Sequence, residues 1–234
     1  MSGQLAFDLP TSEALGRADF CVSPANALAL AALDGWRDWP GGKMLLVGPA
    51  GAGKTHLAHI WASDAGAGLI AGSALAGADL PALAQTALCV EDAESVAGNP
   101  AAEAALFHLH NLAAERGMPL LLTAATPPRD WGLGLPDLAS RMQATPLTRL
   151  DAPDDALLSA LLVKLFADRQ ISVPPNLIPY LVSRMDRSFA AARALVAALD
   201  ARALALGRPI TRQLAADVID RPDDSADTVI PTSQ

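Results

Sequence analysis

Eight consecutive residues have the types and spacing of a phosphate-binding loop, Gly48-Pro49-Ala50-Gly51-Ala52-Gly53-Lys54-Thr55. Its glycines let backbone N–H groups turn toward phosphate oxygens, and the N-terminus of a following helix adds partial positive charge. Lys54 would contact the β- and γ-phosphates, and the Thr55 hydroxyl would ligate Mg²⁺. The alternative is a glycine-rich turn that matches by chance. We therefore predict a nucleotide site whose cofactor-binding residues are Gly48, Pro49, Gly51, Ala52, Gly53, Lys54, Thr55 and His56.

Two acidic residues, Glu91 and Asp92, follow the apolar run Ala87-Leu88-Cys89-Val90. A strand that ends in carboxylates beside a phosphate loop presents them to Mg²⁺ and to the attacking water. We therefore predict that Glu91 and Asp92 are catalytic and that Glu91 joins Thr55 in binding Mg²⁺. The first position is usually Asp, so the longer Glu91 is expected to alter metal geometry or hydrolysis. The alternative is a strand followed by a solvated Glu-Asp turn.

Arg141 ends a short helix predicted over 135–142. A guanidinium on a rigid helix can reach the phosphates of a neighbouring subunit and stabilise charge during phosphoryl transfer. From spacing alone, a surface arginine is equally consistent. His108 and His110 lie two residues apart on another predicted helix and point in different directions, so we expect no shared metal site.

Near the start of the chain, Gln4-Leu5-Ala6-Phe7-Asp8-Leu9 combines a polar residue with apolar anchors. Peptides of this kind insert their anchors into a groove on a partner. A strand that docks on its own domain is the alternative, and chemistry alone does not decide between them.

Apolar runs that could position these groups predict strands at 43–47, 66–71, 87–92 and 118–123, with helices after the phosphate loop and over 100–116. From residue 151 onward only helical periodicity appears, at about 153–170, 174–184, 188–206 and 211–219. We predict an α/β fold in four parts: a tail over 1–18, a nucleotide-binding domain with a parallel sheet over 19–150, an all-helical lid over 151–220 and a disordered acidic tail over 221–234.

The composition argues against several classes of protein. The 234 residues carry a formal net charge of −8, which argues against strong direct binding to DNA. Two cysteines far apart argue against a disulfide framework and favour a reducing compartment. No signal peptide or membrane-length apolar run occurs in the sequence, so we expect a cytoplasmic protein without a membrane partner.

Taken together, these motifs resemble the AAA+ ATPase family, and within it the bacterial replication initiator DnaA and the short Hda (HdaA) regulators related to it. The resemblance covers roughly residues 4–220. The segment 19–26 is similar to the initiator segment that packs around the adenine, which implies that Asn26 binds the cofactor. The stretch 134–141 is similar to the one that carries the arginine finger in Hda, which implies that Arg141 acts in trans. The segment 4–9 resembles the Hda peptide that binds the sliding clamp, which implies that Gln4, Leu5, Phe7 and Leu9 bind this partner.

Two positions depart from the family pattern. The sensor 1 acid falls at about Ala125, and the sensor 2 arginine falls near Ala190. Arg187 and Arg193 flank Ala190; we take Arg187 as a candidate cofactor-binding residue and leave open which of the two, if either, substitutes. Together with Glu91, these departures imply that the chain hydrolyses its own nucleotide weakly. It would bind ATP or ADP largely to hold a conformation.

The resemblance implies an adaptor that docks on the DNA polymerase III sliding clamp and presents Arg141 to the ATP bound by DnaA. DnaA hydrolysis would then be stimulated, and a second round of initiation prevented. One alternative is an autonomous AAA+ ATPase or loader that acts on another client. Another is a nucleotide-stabilised scaffold that recruits a different partner to the clamp and does not need Arg141. A homodimer is compatible with all three.

Overall fold

The computed structural model describes residues 16–17 and 20–220. Gln4–Leu9 and residues 221–234 lie outside this part of the chain, so the predictions made for them stay predictions. The described elements are a sheet domain and a lid. The sheet domain contains α1 (Ala27–Asp34), β1 (Lys43–Val47), α2 (Lys54–Ala65), β2 (Gly68–Ala71), α3 (Leu80–Leu83), β3 (Leu88–Glu91), α4 (Pro100–Arg116), β4 (Leu120–Ala124), α5 (Pro136–Ala144) and β5 (Leu147–Arg149); the lid contains α6 (Asp155–Asp168), α7 (Leu177–Val182), α8 (Phe189–Leu206) and α9 (Arg212–Asp220).

The five strands form one parallel sheet in the order β2-β3-β4-β1-β5. β1 and β4 are buried along their whole length, as expected for parallel strands with helices on both faces. Alternate residues of β1 face opposite cores: Leu45 packs on the side of α4, and Leu46 packs on the side of α2. The predicted parallel α/β sheet is confirmed.

The sequence-based prediction missed β5. β5 has only three residues, follows Pro146, and exposes Leu147 to solvent, so no apolar run marks it. Its pairing with β1, in which Leu45 lies opposite Leu147, is set by tertiary structure. The connection between β2 and β3 consists of a 3₁₀ stretch at Gly72–Gly77 followed by the one-turn helix α3.

The four lid helices enclose a core of their own. Leu158 and Leu162 of α6, Leu181 of α7 and Val196 and Leu199 of α8 are all fully buried or nearly so. The predicted lid helices are confirmed, with ends that differ by a few residues. In the part of the chain that the structure describes, no helix is both long and apolar enough to cross a membrane.

Candidate functional site

The phosphate loop opens into a pocket at the carboxyl ends of the strands. The pocket has a volume of about 390 Å³ and lies between the loop, the end of β4 and the start of α8. A larger cavity of about 490 Å³ lies in the lid beside α6 and α7, but its walls are mostly apolar side chains and prolines. Only the first offers groups for a phosphate, and it is lined by Ala50, Gly51, Gly53, Lys54, Thr55, His56, Asp92, Ala125, Phe189, Ala190 and Arg193.

The loop adopts a tight conformation that its glycines permit. Gly51 and Gly53 have φ angles of 72° and 101°, in the left-handed region that disfavours other residues, and α2 begins directly afterwards at Lys54. The Lys54 Nζ donates hydrogen bonds to the carbonyls of Gly48 at 2.8 Å and Pro49 at 3.2 Å. The ammonium group therefore lies inside the curve of the loop, while the Thr55 side chain is exposed at its mouth.

The first turn of α8 rests directly on the phosphate loop. The Phe189 N–H donates to the Gly51 carbonyl at 3.0 Å. A Cβ atom on Gly51 would come within 2.3 Å of the Ser188 Cβ, and one on Gly53 within 3.1 Å of the Phe189 ring. The phosphate loop and the lid are therefore in direct contact, which the sequence did not reveal.

Of the two acidic residues, the structure brings only Asp92 to the pocket. Asp92 has a φ angle of 49°, and its N–H donates to the Thr123 Oγ1 at 3.1 Å. This bond from β4 holds the turn at which Asp92 lines the same pocket as Lys54 and Thr55. Glu91 ends β3 opposite Ala71 of β2 and is not among the residues that line the pocket.

Two other predicted cofactor residues lie elsewhere. Arg187 precedes α8, does not line the pocket, and forms an ion pair with Asp155 at 2.7 Å. Arg193 lines the pocket from α8, one turn beyond Ala190, so the structure favours it over Arg187 as the lid arginine that faces the loop. Asn26 is buried, and its side chain bonds the Ser23 N–H and the Cys21 carbonyl, so its contacts hold the segment before α1.

His56 also faces the pocket and ties it to the start of the described chain. Its Nε2 lies 3.0 Å from the Gly16 carbonyl oxygen, and its ring meets the Phe20 ring edge-on with centroids 5.2 Å apart. Opposite the loop, the Ala125 N–H donates to the Glu94 carboxylate at 2.6 Å. Ala125 offers no polar side chain to the pocket.

Arg141 lies toward the amino end of the strands, away from the phosphate loop. The chain leaves α5 at Ala144 and enters β5 from the amino end of the strands, where the Leu45 N–H donates to the Pro146 carbonyl. Burial lowers the pKa of Lys43, the first residue of β1, and the nearby Arg141 charge lowers it further. Because a five-residue strand spans on the order of 13 Å, Arg141 is remote from the chain's own phosphate loop.

Glu103 is a functional candidate that our reading of the sequence missed. It is 4% exposed, and its carboxylate accepts hydrogen bonds from the N–H groups of Gly98, Gly134 and Leu135. Burial acts to raise the pKa of Glu103, but these three bonds outweigh it and the pKa is lowered. A signal was present, since Glu103 is an isolated acid three residues before Leu106 on the apolar face of α4.

We expect Glu103→Gln to destabilise the protein by about 1–3 kcal/mol at pH 7, because the amide nitrogen cannot accept the bonds that the carboxylate accepts. The lowered pKa makes this stabilisation complete above about pH 4.5, the ordinary value, and progressively lost as the pH falls through the folded-state pKa. Urea unfolding of both proteins from pH 7 to pH 3 measures the difference, with Glu115→Gln on the exposed side of α4 as the control. If the difference in the free energy of unfolding between wild type and Glu103→Gln stayed constant down to pH 3, the proposed role of the Glu103 carboxylate would be contradicted.

No family model matches the chain. Among solved structures, domain III of the replication initiation protein DnaA of Thermotoga maritima is similar, with 17% sequence identity and a TM-score of 0.74 over 91% of this chain and 98% of that one. DnaA of Aquifex aeolicus bound to AMPPCP is 16% identical, with a TM-score of 0.65 over 77% of this chain and 63% of that one. A variant of RuvB from Thermotoga maritima is 20% identical, with a TM-score of 0.63 over 82% of this chain and 65% of that one.

These likenesses extend over most of this chain, including both the sheet domain and part or all of the lid. At such identities they bear on the fold. The chain therefore has the AAA+ fold, a phosphate-loop parallel sheet flanked by helices and followed by a small all-helical lid.

Proposed function

We propose that this chain regulates replication initiation by supplying Arg141, in trans, to the ATP bound by DnaA. The proposal is supported chiefly by the separation of Arg141 from the chain's own phosphate loop: Arg141 lies near Lys43 at the amino end of β1, and the loop follows the carboxyl end of the same strand. Arg141 is exposed, and no carboxylate pairs with it among the described residues. An exposed arginine on a short, well-anchored helix is suited to reach the nucleotide of a neighbouring molecule.

The chemistry expected of Arg141 is charge stabilisation. As the terminal phosphoryl group of ATP leaves, negative charge redistributes over its oxygens, and a guanidinium can bind two of them at once. Lys43 adds a second positive charge on the same side of the molecule. An arginine supplied in this way contributes about 10³–10⁵ in rate in phosphoryl transfer, so one side chain could control the hydrolysis of a client.

ATP or ADP bound in the chain's own pocket would serve chiefly to stabilise the conformation of this protein. The loop N–H groups and Lys54 suit the phosphates, and Thr55 and Asp92 could hold Mg²⁺ together with phosphate oxygens and water. Among the described residues no group of three His, Cys, Asp or Glu side chains could hold a metal ion, which fits a metal held mainly by the nucleotide. Ala125 leaves the pocket without one polar side chain expected for rapid turnover, whereas Arg193 lines it from the lid close to Ala190.

The sliding clamp would bring the regulator to DnaA. Gln4, Leu5, Phe7 and Leu9 are the proposed contacts, and a short peptide of this kind binds weakly by itself. Tethering two molecules to one clamp–DNA complex raises their effective concentration to the millimolar range, so a modest direct contact with DnaA would suffice.

We expect Phe7→Ala to raise, by about tenfold or more, the protein concentration that gives half-maximal stimulation of DnaA hydrolysis in the presence of DNA-loaded clamp. The maximal rate should change little, because Arg141 is intact. Thr11→Ala, in the same tail, should behave as wild type. Equal concentration dependence for Phe7→Ala and wild type, together with equal clamp binding in a pull-down, would remove the clamp from the proposal.

A second candidate, an autonomous ATPase acting on another client, is favoured by the position of Asp92 beside Lys54 and Thr55. It requires steady turnover of ATP by the isolated protein, abolished by Asp92→Asn. The adaptor requires no such turnover, so the two functions are separated by measuring phosphate release from the protein alone.

A further inference from the structure

Three residues on one side of α4 lie beside α5, the helix that carries Arg141. Glu103, Phe107 and His110 are spaced four and three residues apart, so they lie on one side of the helix. α5 packs against this side, with Leu138 and Met142 fully buried between the helix and the sheet core.

Glu103 fixes the start of α5. Its Oε2 accepts from the Leu135 N–H at 2.7 Å, and its Oε1 accepts from the Gly134 and Gly98 N–H groups at 3.2 and 3.1 Å. Leu135 is the residue before the first turn and has no side chain that could cap the helix. Glu103 of α4 therefore accepts the N–H of the N-cap residue from a different helix, as a Glu at the third helical position does in a capping box, and its negative charge favours the amino end of α5.

Phe107 supports the other end. The Arg141 Cζ lies 5.2 Å from the centroid of the Phe107 ring, within the range of about 6 Å in which a guanidinium is attracted to an aromatic face. His110 follows one turn later and is 7% exposed. The pKa of His110 is lowered to about 4, mainly by burial and in addition by the charges of Lys43 and Arg141. At neutral pH, His110 therefore adds no positive charge beside the guanidinium.

We propose that Glu103 and Phe107 are positioning residues for Arg141, which hold its guanidinium in place before a client nucleotide arrives. The inference rests on the proposed function of Arg141. A side chain that is already ordered loses less conformational freedom in the transition state, and misplacement by about 1 Å can cost on the order of 100-fold in rate.

The test compares Phe107→Leu with Phe107→Tyr, and Glu103→Gln with Glu115→Gln, in single-turnover hydrolysis of ATP pre-bound to DnaA with loaded clamp. We expect Phe107→Leu and Glu103→Gln to lower the maximal rate by about tenfold or more, with an unchanged half-saturating concentration. Phe107→Tyr keeps the ring and should retain the wild-type rate, as should Glu115→Gln. If these residues only stabilised the fold, the variants would instead change the half-saturating concentration, or Phe107→Leu and Phe107→Tyr would give the same maximal rate.

A second readout does not depend on DnaA. The ¹⁵Nε–¹Hε NMR signal of Arg141, assigned by its loss in Arg141→Ala, should report a restrained side chain in wild type and in Phe107→Tyr, and a mobile one in Phe107→Leu. Equal mobility in all three proteins, or wild-type hydrolysis rates in both Phe107→Leu and Glu103→Gln, would overturn the inference and leave the proposed function standing. Wild type that fails to stimulate DnaA would overturn the proposed function itself, whatever the NMR result.

Discussion

Replacing Arg141 with alanine is expected to lower the stimulated hydrolysis of DnaA-bound ATP by about 10³-fold or more, to the rate of DnaA alone. The side chain is exposed on α5 and contacts the Phe107 ring, so its removal leaves no buried group unsatisfied. Its distance from the phosphate loop means that the chain's own nucleotide affinity should not change. Loss of stimulation would therefore report the missing guanidinium rather than a damaged protein.

Two further variants sharpen this prediction. Arg141→Lys keeps the charge but loses the planar, two-pronged donor, and we expect it to recover only a minor part of the stimulation. Arg202→Ala removes an exposed arginine from α8 and should act as wild type. Full stimulation by Arg141→Ala would refute the trans-acting role and favour a scaffold that recruits another partner to the clamp.

The second large effect is expected at the phosphate loop. Lys54→Ala should weaken the binding of ATP and ADP by about 100-fold, because each charge-assisted hydrogen bond to phosphate contributes about 1.5–3 kcal/mol. The Lys54 ammonium already lies within the loop, bonded to Gly48 and Pro49, so no large rearrangement is needed to bring it to a phosphate. Titration with a fluorescent ADP analogue measures the affinity directly.

Nucleotide should also raise the melting temperature of wild type, because a ligand that binds only the folded state stabilises it. We expect this shift to disappear in Lys54→Ala and to persist in Lys164→Ala, a lysine of α6 in the lid. Since Ser188 and Phe189 rest on the loop, nucleotide binding should change amide exchange at the start of α8 as well. Unaltered ADP affinity in Lys54→Ala would refute the nucleotide site.

The parts of the site that depend on local sequence could be predicted, and those that depend on tertiary contacts could not. Strand, loop and helix are contiguous around Lys54, so the pattern alone predicts that loop. The choice between Glu91 and Asp92 depends on a bond from Thr123, which lies 31 residues further along the chain. No pattern in the neighbouring residues contains that information.

The lid arginines illustrate the same limit. Ser188 caps α8 by accepting from the Ala191 N–H, so Arg187 falls before the helix and Arg193 falls on it, one turn from Ala190. The predicted start at 188 already places Arg187 before the helix, so the choice between the two depends on how α8 packs on the phosphate loop. Glu103 was missed for a related reason, because its partners Gly134 and Leu135 are adjacent only after α4 and α5 have packed.

The most direct test of the account is the decay of radiolabelled ATP pre-bound to DnaA after wild-type protein is added with DNA-loaded sliding clamp. We predict rapid conversion to ADP that requires both the added protein and the clamp. An unchanged rate of decay, at protein concentrations that saturate the clamp, would contradict the proposal that this chain acts on the ATP of DnaA.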